Sequence, residues 1–423
     1  MNHWVTVWAT SLHGSYPHGT PLAQPDLALA IPDPARGLCD QAVRMVLHPA
    51  ARGPRARVRL SNAHGDRPLT LAGLSLGEQW AAASLLPGSR VGLTVQGQDR
   101  VTLAPGESCW SDPVALSRAA ASGGPGSGAL ALSGVVCGAS GRISWHSKAM
   151  GSSYLGRPGH PAAADDEDES GLPFATTSWF WVDALDMELP GGSHCVVCLG
   201  DSLTDGTGTT LNGRDRWTDQ LQRLLTRRLG PDAAPVCIVN AGIGGNQVVG
   251  SSASAADGAQ RLRRGPPAVQ RLAQDVLALS GVGSVIWLEG INDFSDGCGA
   301  SVEAVIDGFR QGASRLHAAG LRVIGATVPS GLGAATAGHG GAQQDERRRR
   351  LNTWLRQRSV PEGVFDSVID MDAALTDPVT GAMRAAYVPD GTLGGPGDHL
   401  HPNRAGHLAM AAAVDLDPLL MGV

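Results

Sequence analysis

The chain has 423 residues, of which 42% are hydrophobic and 17% charged, and its formal charge is −6. That length is long for one domain and comfortable for two. The acidic balance, with a sequence pI near 6.1, argues against nucleic acid or an anionic membrane as the main partner.

Residues 1–8 hold Trp4 and Trp8 but neither the basic nor the apolar region of a secretory leader. Nowhere do the roughly 18 apolar residues of a membrane span run together. A cytoplasmic protein with no membrane partner is expected. Residues 1–190 read as a β-rich accessory domain. The segment 55–61 alternates with period two, 62–66 supplies turn chemistry, and strand-like pieces recur at 69–76, 91–95, 100–103 and 141–146. Glycine and proline punctuate them, which predicts a small sandwich or jelly-roll-like unit. The stretches 119–128 and 165–169 read as exposed loops. Trp4, Trp8, Trp80, Trp110 and Trp145 offer stacking surfaces for a carbohydrate, although core positions are the better reading. Segment 145–154, rich in polar and aromatic groups, is the candidate for walling a site.

From 191 to 423 the pattern becomes strand, loop, helix. Strands are expected at 195–199, 236–240, 284–289, 321–328 and 364–370. Helical spacing of apolar residues appears over 216–229, 268–279, 302–319 and 405–414. Such alternation implies an α/β domain with a doubly wound parallel sheet, whose strand-end loops converge on one crevice. The Gly/Ala-rich stretch 331–344 reads as an inserted loop beside that crevice. The run Arg347 to Arg350 reads as the solvated face of a helix. Seven cysteines show no framework spacing, and strand alternation sends Cys195 and Cys198 to opposite faces, so buried thiols are expected.

The chemistry-bearing motifs fall just after these strands or near the C-terminus. They are Gly200-Asp201-Ser202-Leu203, the loop from Asn240 to Asn246, Gly290-Ile291-Asn292-Asp293, and Asp398-His399-Leu400-His401-Pro402. A serine hydroxyl is a weak nucleophile at neutral pH and needs a base, which His401 can supply. Asp398, three residues earlier, can orient that imidazole and stabilise its charged form. The N–H groups of Ser202 and Gly245 and the Asn292 amide can face an oxyanion. Taken singly, each is as well explained by a turn or a cap. Together, in this order, they are not. No Gly-x-Gly-x-x-Gly or phosphate-loop lysine is present, so no nucleotide cofactor is expected. His194, His399, His401 and His407 share no metal-ligand spacing, so no metal is expected either.

This ordered set resembles the SGNH (GDSL) hydrolase superfamily. The resemblance implies a flavodoxin-like sheet, Ser202 as nucleophile, Asp398 and His401 as its triad partners, and Ser202, Gly245 and Asn292 as oxyanion donors. Gly244 departs from the pattern, since many members carry serine there; His399 is a second candidate base, although the position of His401 before Pro402 favours the latter. Trp4 to Ala9, Arg57 to Asn62, Gly65 to Leu69 and Leu288 to Asp293 are similar to a bacterial two-domain branch of XynE-like acylhydrolases and esterases, several of which are exported. The expected function is a serine esterase cleaving short acyl esters, such as acetyl on a carbohydrate or small metabolite. An acyltransferase, thioesterase or lactonase would use the same acyl-enzyme. A carbohydrate- or protein-binding role dominated by the β-rich domain is the alternative of another class. The residues leave the oligomeric state open.

Overall fold

The computed structural model describes residues 1–116, 128–230, 232–250, 263–336, 338–388 and 397–420. The chain divides into two units, Met1–Gly191 and Gly192–Val423. Of the expected loop 119–128, all but Gly128 lies outside the described residues.

The first unit is built from antiparallel strands. Cys39–Leu47 lies between Leu130–Ala139 and Ser153–Leu155, and Leu130–Ala139 pairs in turn with Leu69–Ala81. In a second sheet Val182–Leu189 lies between His3–Ala9 and Arg55–Ser61. The long strands Cys39–Leu47, Leu130–Ala139 and Val182–Leu189 carry no period-two alternation, for a physical reason. They are buried on both faces for most of their length, so no polar face alternates with the apolar one. Arg44 shows the cost of such burial. Its guanidinium donates to Ser133 Oγ at 2.8 Å and to the carbonyls of Ala83, Asp166 and Asp168. The acidic stretch 165–169 is therefore tied to the sheet by its backbone while most of its side chains stay exposed. Trp8 and Trp145 are core residues and Trp80 is exposed. Trp4 and Trp110 flank the Arg57 guanidinium at 4.7 and 4.5 Å, a cation–π arrangement that accounts for both rings.

The second unit holds a five-stranded parallel sheet. Its strands are β1 (His194–Gly200), β2 (Val236–Gly242), β3 (Val282–Leu288), β4 (Arg322–Ala326) and β5 (Ser367–Ile369). Their spatial order is β2-β1-β3-β4-β5, the flavodoxin-like order, which reverses direction between β1 and β3. The helices are α1 (Ser202–Asp205), α2 (Trp217–Leu229), α3 (Ala268–Leu272), α4 (Val302–Ala318), α5 (Ala342–Gln357), α6 (Met371–Leu375), α7 (Arg404–Ala412) and α8 (Asp417–Leu420). Trp217, Leu221 and Leu225 of α2 share a core with Val196, Cys198, Ile286, Leu288 and Met410. Trp287, from the alternate face of β3, instead meets Phe309 of α4, ring centroids 5.0 Å apart. Apolar cover on both faces leaves the strand-end loops as the open edge.

Three expectations change. The pattern over 268–279 is not one α-helix; after α3 the chain widens into a π-turn at Ala273–Leu277. The arginine run is not uniformly solvated. Arg349 and Arg350 face out, whereas Arg348 is buried between Asp345 and Asp372, 2.7 Å from each. A buried guanidinium persists only when paired in this way. Further, 342–344 of the expected insertion already belong to α5.

Candidate active site

Gly200 ends β1 where a Cβ would run into Leu288 O and Thr204 Oγ1. Directly after it, Asp201 caps α1 by accepting from the Leu203 N–H at 2.9 Å, and Ser202 opens that helix, 7% exposed. The tight exit from the sheet thus presents the hydroxyl at the strand end. His401 Nε2 lies 2.8 Å from Ser202 Oγ, and His401 Nδ1 lies 2.6 Å from Asp398 Oδ2.

Asp398 does two jobs with its two oxygens. Oδ1 accepts from the Leu400 and His401 N–H groups at 3.0 and 2.8 Å, which closes a turn through His399 at φ 58°. Oδ2 holds the imidazole and also accepts from Thr336 Oγ1 at 3.2 Å. Burial by itself would raise the Asp398 carboxyl; the hydrogen bonds and charge of His401 and the two backbone donors outweigh it and hold the group well below the usual carboxylate range. His399 is exposed, and it is His401 that reaches the serine.

The glycine loop after β2 is held from below. Asp205 Oδ2 accepts from the Gly244 N–H at 2.8 Å, and the Ile243 N–H reaches Gly200 O at 3.1 Å. Gly245 follows at φ 82°, a left-handed conformation that a Cβ would strain. Asn292 stands in the turn after β3. Its Nδ2 donates to Asn246 O at 2.9 Å and its Oδ1 lies 3.0 Å from His339 Nε2. Asp293 beside it accepts from the Val248 and Val249 N–H groups at 2.9 and 3.1 Å. Among the described residues, the N–H groups of Ser202 and Gly245 and the second Nδ2 hydrogen of Asn292 have no protein partner. Three free donors on three adjacent loops suit a developing negative charge.

Several supports were invisible as motifs. Arg271, in α3, donates to Gly200 O, Ala241 O and Asn246 Oδ1 at 3.0, 2.7 and 2.9 Å, and pairs with Asp275 at 2.9 Å. One buried guanidinium therefore ties the ends of β1 and β2 to the glycine loop. Its only signal in the sequence was a charged residue inside an apolar helical pattern. Glu289 and Asp293 are both fully buried. Burial pushes Glu289 up to about 7 despite nearby Arg271 and the Trp287 indole N–H. Asp293 is also pushed up to about 7, by burial first and then by Glu289.

The model of the GDSL-like Lipase/Acylhydrolase family matches residues 198–409, which is half of the chain. The chain belongs to this family, and it is a hydrolase acting on carboxylic esters. Among solved structures, a carbohydrate acetylesterase family member from Sinorhizobium meliloti is 17% identical, over 53% of this chain and 96% of that one, with a TM-score of 0.38. An inhibitor-bound aryl esterase from M. smegmatis is also 17% identical, over 52% of this chain and 96% of its own, at 0.38. No curated protein matches.

Proposed function

We propose that the chain cleaves its ester through an acyl-enzyme on Ser202. His401 Nε2 takes the hydroxyl proton as Oγ attacks the carbonyl carbon. The N–H groups of Ser202, Gly245 and Asn292 receive the oxyanion. Collapse of the tetrahedral intermediate expels the alcohol, protonated by His401, and water repeats the cycle on the acyl group. Asp398, kept ionised, orients the imidazole and stabilises its charged form. The observation that carries this reading is the unbroken run from Ser202 Oγ to Asp398 Oδ2, with links of 2.8 and 2.6 Å.

Short acyl groups, acetyl on a carbohydrate or small metabolite, are the substrates we assign. Their support is the resemblance carried by the four sequence blocks, together with an aromatic content of only 4%, which offers little for a long apolar channel. The unit Met1–Gly191 takes the accessory role. A p-nitrophenyl ester series from acetyl to decanoyl tests both levels. Turnover should fall with chain length and vanish in Ser202→Ala while the circular dichroism spectrum is unchanged. Activity retained in that variant overturns the mechanism; a preference for long chains overturns only the substrate class.

A further inference from the structure

We infer that His339 is a positioning residue that fixes which end of the Asn292 side chain faces the oxyanion, an inference that rests on the oxyanion role proposed above. A side-chain amide has two nearly isosteric ends, and only the NH2 end can donate. Asn292 Nδ2 donates to Asn246 O, a carbonyl that can only accept. That leaves Oδ1 turned to His339 Nε2 at 3.0 Å, so the ring must carry its proton on Nε2 to donate there. Were the amide reversed, its oxygen would face the Asn246 carbonyl, a repulsion no tautomer relieves, and the ring would have to give up its Nε2 proton to accept from NH2. Reversal would thus break one contact outright and force a change of tautomer at the other, in a site where Asn292 is 6% and His339 8% exposed. The pair of contacts therefore locks one orientation, which keeps the second Nδ2 hydrogen available.

His339 is well placed to hold this lock because its own segment is anchored beside it. Gly338 O accepts from the Asp296 N–H at 3.1 Å, just past Asn292 on the same turn. Upstream, the Ala335 N–H donates to Asp398 O at 3.0 Å and Thr336 Oγ1 reaches Asp398 Oδ2. Residues of one Gly/Ala-rich stretch thus touch both the carboxylate and the amide. The imidazole is the member that acts on the amide.

Loss of an oxyanion donor outright lowers kcat by about 10²–10³-fold; loss of its orientation should lower it by part of that. The test is a double-mutant cycle on the full chain, with p-nitrophenyl acetate as substrate. Expected results are about a 10-fold loss of kcat in His339→Leu with KM within about twofold, and partial recovery in His339→Gln, whose amide can donate. In an Asn292→Ala background, His339→Leu should change kcat by less than about twofold. The same factor lost in both backgrounds, or unchanged kcat in His339→Leu alone, overturns the inference while leaving the oxyanion reading intact. An Asn292→Ala enzyme as fast as the parent overturns that reading and this one with it. If His339→Leu does not fold, His339→Ala, which leaves space in place of bulk, runs the same cycle with the same criteria.

Discussion

The loops after β1 and β2 and the turn that carries His401 hold their groups in opposite ways. The first are set from afar: parallel strand register fixes Gly200 against Gly242 and Leu288, and Arg271 clamps two of those strand ends from a helix. The second is mainly local, with Ala335 and Thr336 its distant contacts. One side chain, Asp398, folds its own four-residue turn and holds the imidazole in it. Damage to the remote support should therefore be felt as lost stability, and damage to the local one as lost catalysis.

The largest effect that would break this contrast lies in the turn. Asp398→Asn removes the charge that favours the imidazolium, and kcat should drop about 10³–10⁴-fold with little change in thermal midpoint. A variant that instead unfolds would show that the turn, too, depends on this carboxylate for stability. Next comes the clamp. Arg271→Met strands a buried Asp275 and three acceptors, and urea denaturation should register a loss of about 3–5 kcal/mol. Were the variant as stable as the parent but catalytically dead, remote and local supports would not differ in kind.

The smallest effect concerns pH. His407 is fully buried on α7, accepts from the Trp217 N–H at 3.2 Å, and is pushed down to about 4 chiefly by burial. Its contribution is present above about 6.5 and lost as pH falls toward 4, on the order of 3 kcal/mol in all. Glu289 and Asp293 run the other way. Raised to about 7, they stabilise the fold at low pH, and that contribution is lost as pH rises through 7. In the parent the single imidazole offsets only part of the slope of the two carboxylates, and only up to about pH 6.5. Thermal midpoints of His407→Gln should fall with rising pH between about 4.5 and 7, whereas those of Glu289→Gln should change little up to about pH 6.5, where the slopes of His407 and Asp293 cancel. Parallel profiles for the two variants would sink this assignment.

Much of the catalytic unit was legible because its signals are local. A buried parallel strand such as β1 reads as a short apolar run, and the residue types around Ser202, Asn292 and His401 declare their chemistry. The first unit was less legible. Strands like Val182–Leu189 lie buried on both faces, and period-two alternation marks only strands with one wet face.

The residue types and their order by themselves determined the α/β character of the second unit, the family resemblance and the set of candidate reacting groups. Only the tertiary structure decided which contacts hold those groups. Arg271, Asp205 and His339 act across 71, 39 and 47 positions of chain on Gly200, Gly244 and Asn292. Such partners are chosen by packing, since a buried polar group must find a partner wherever the fold brings one near. The motif around Ser202 pointed to the proposed nucleophile; the residues that keep its site in order belong to no motif.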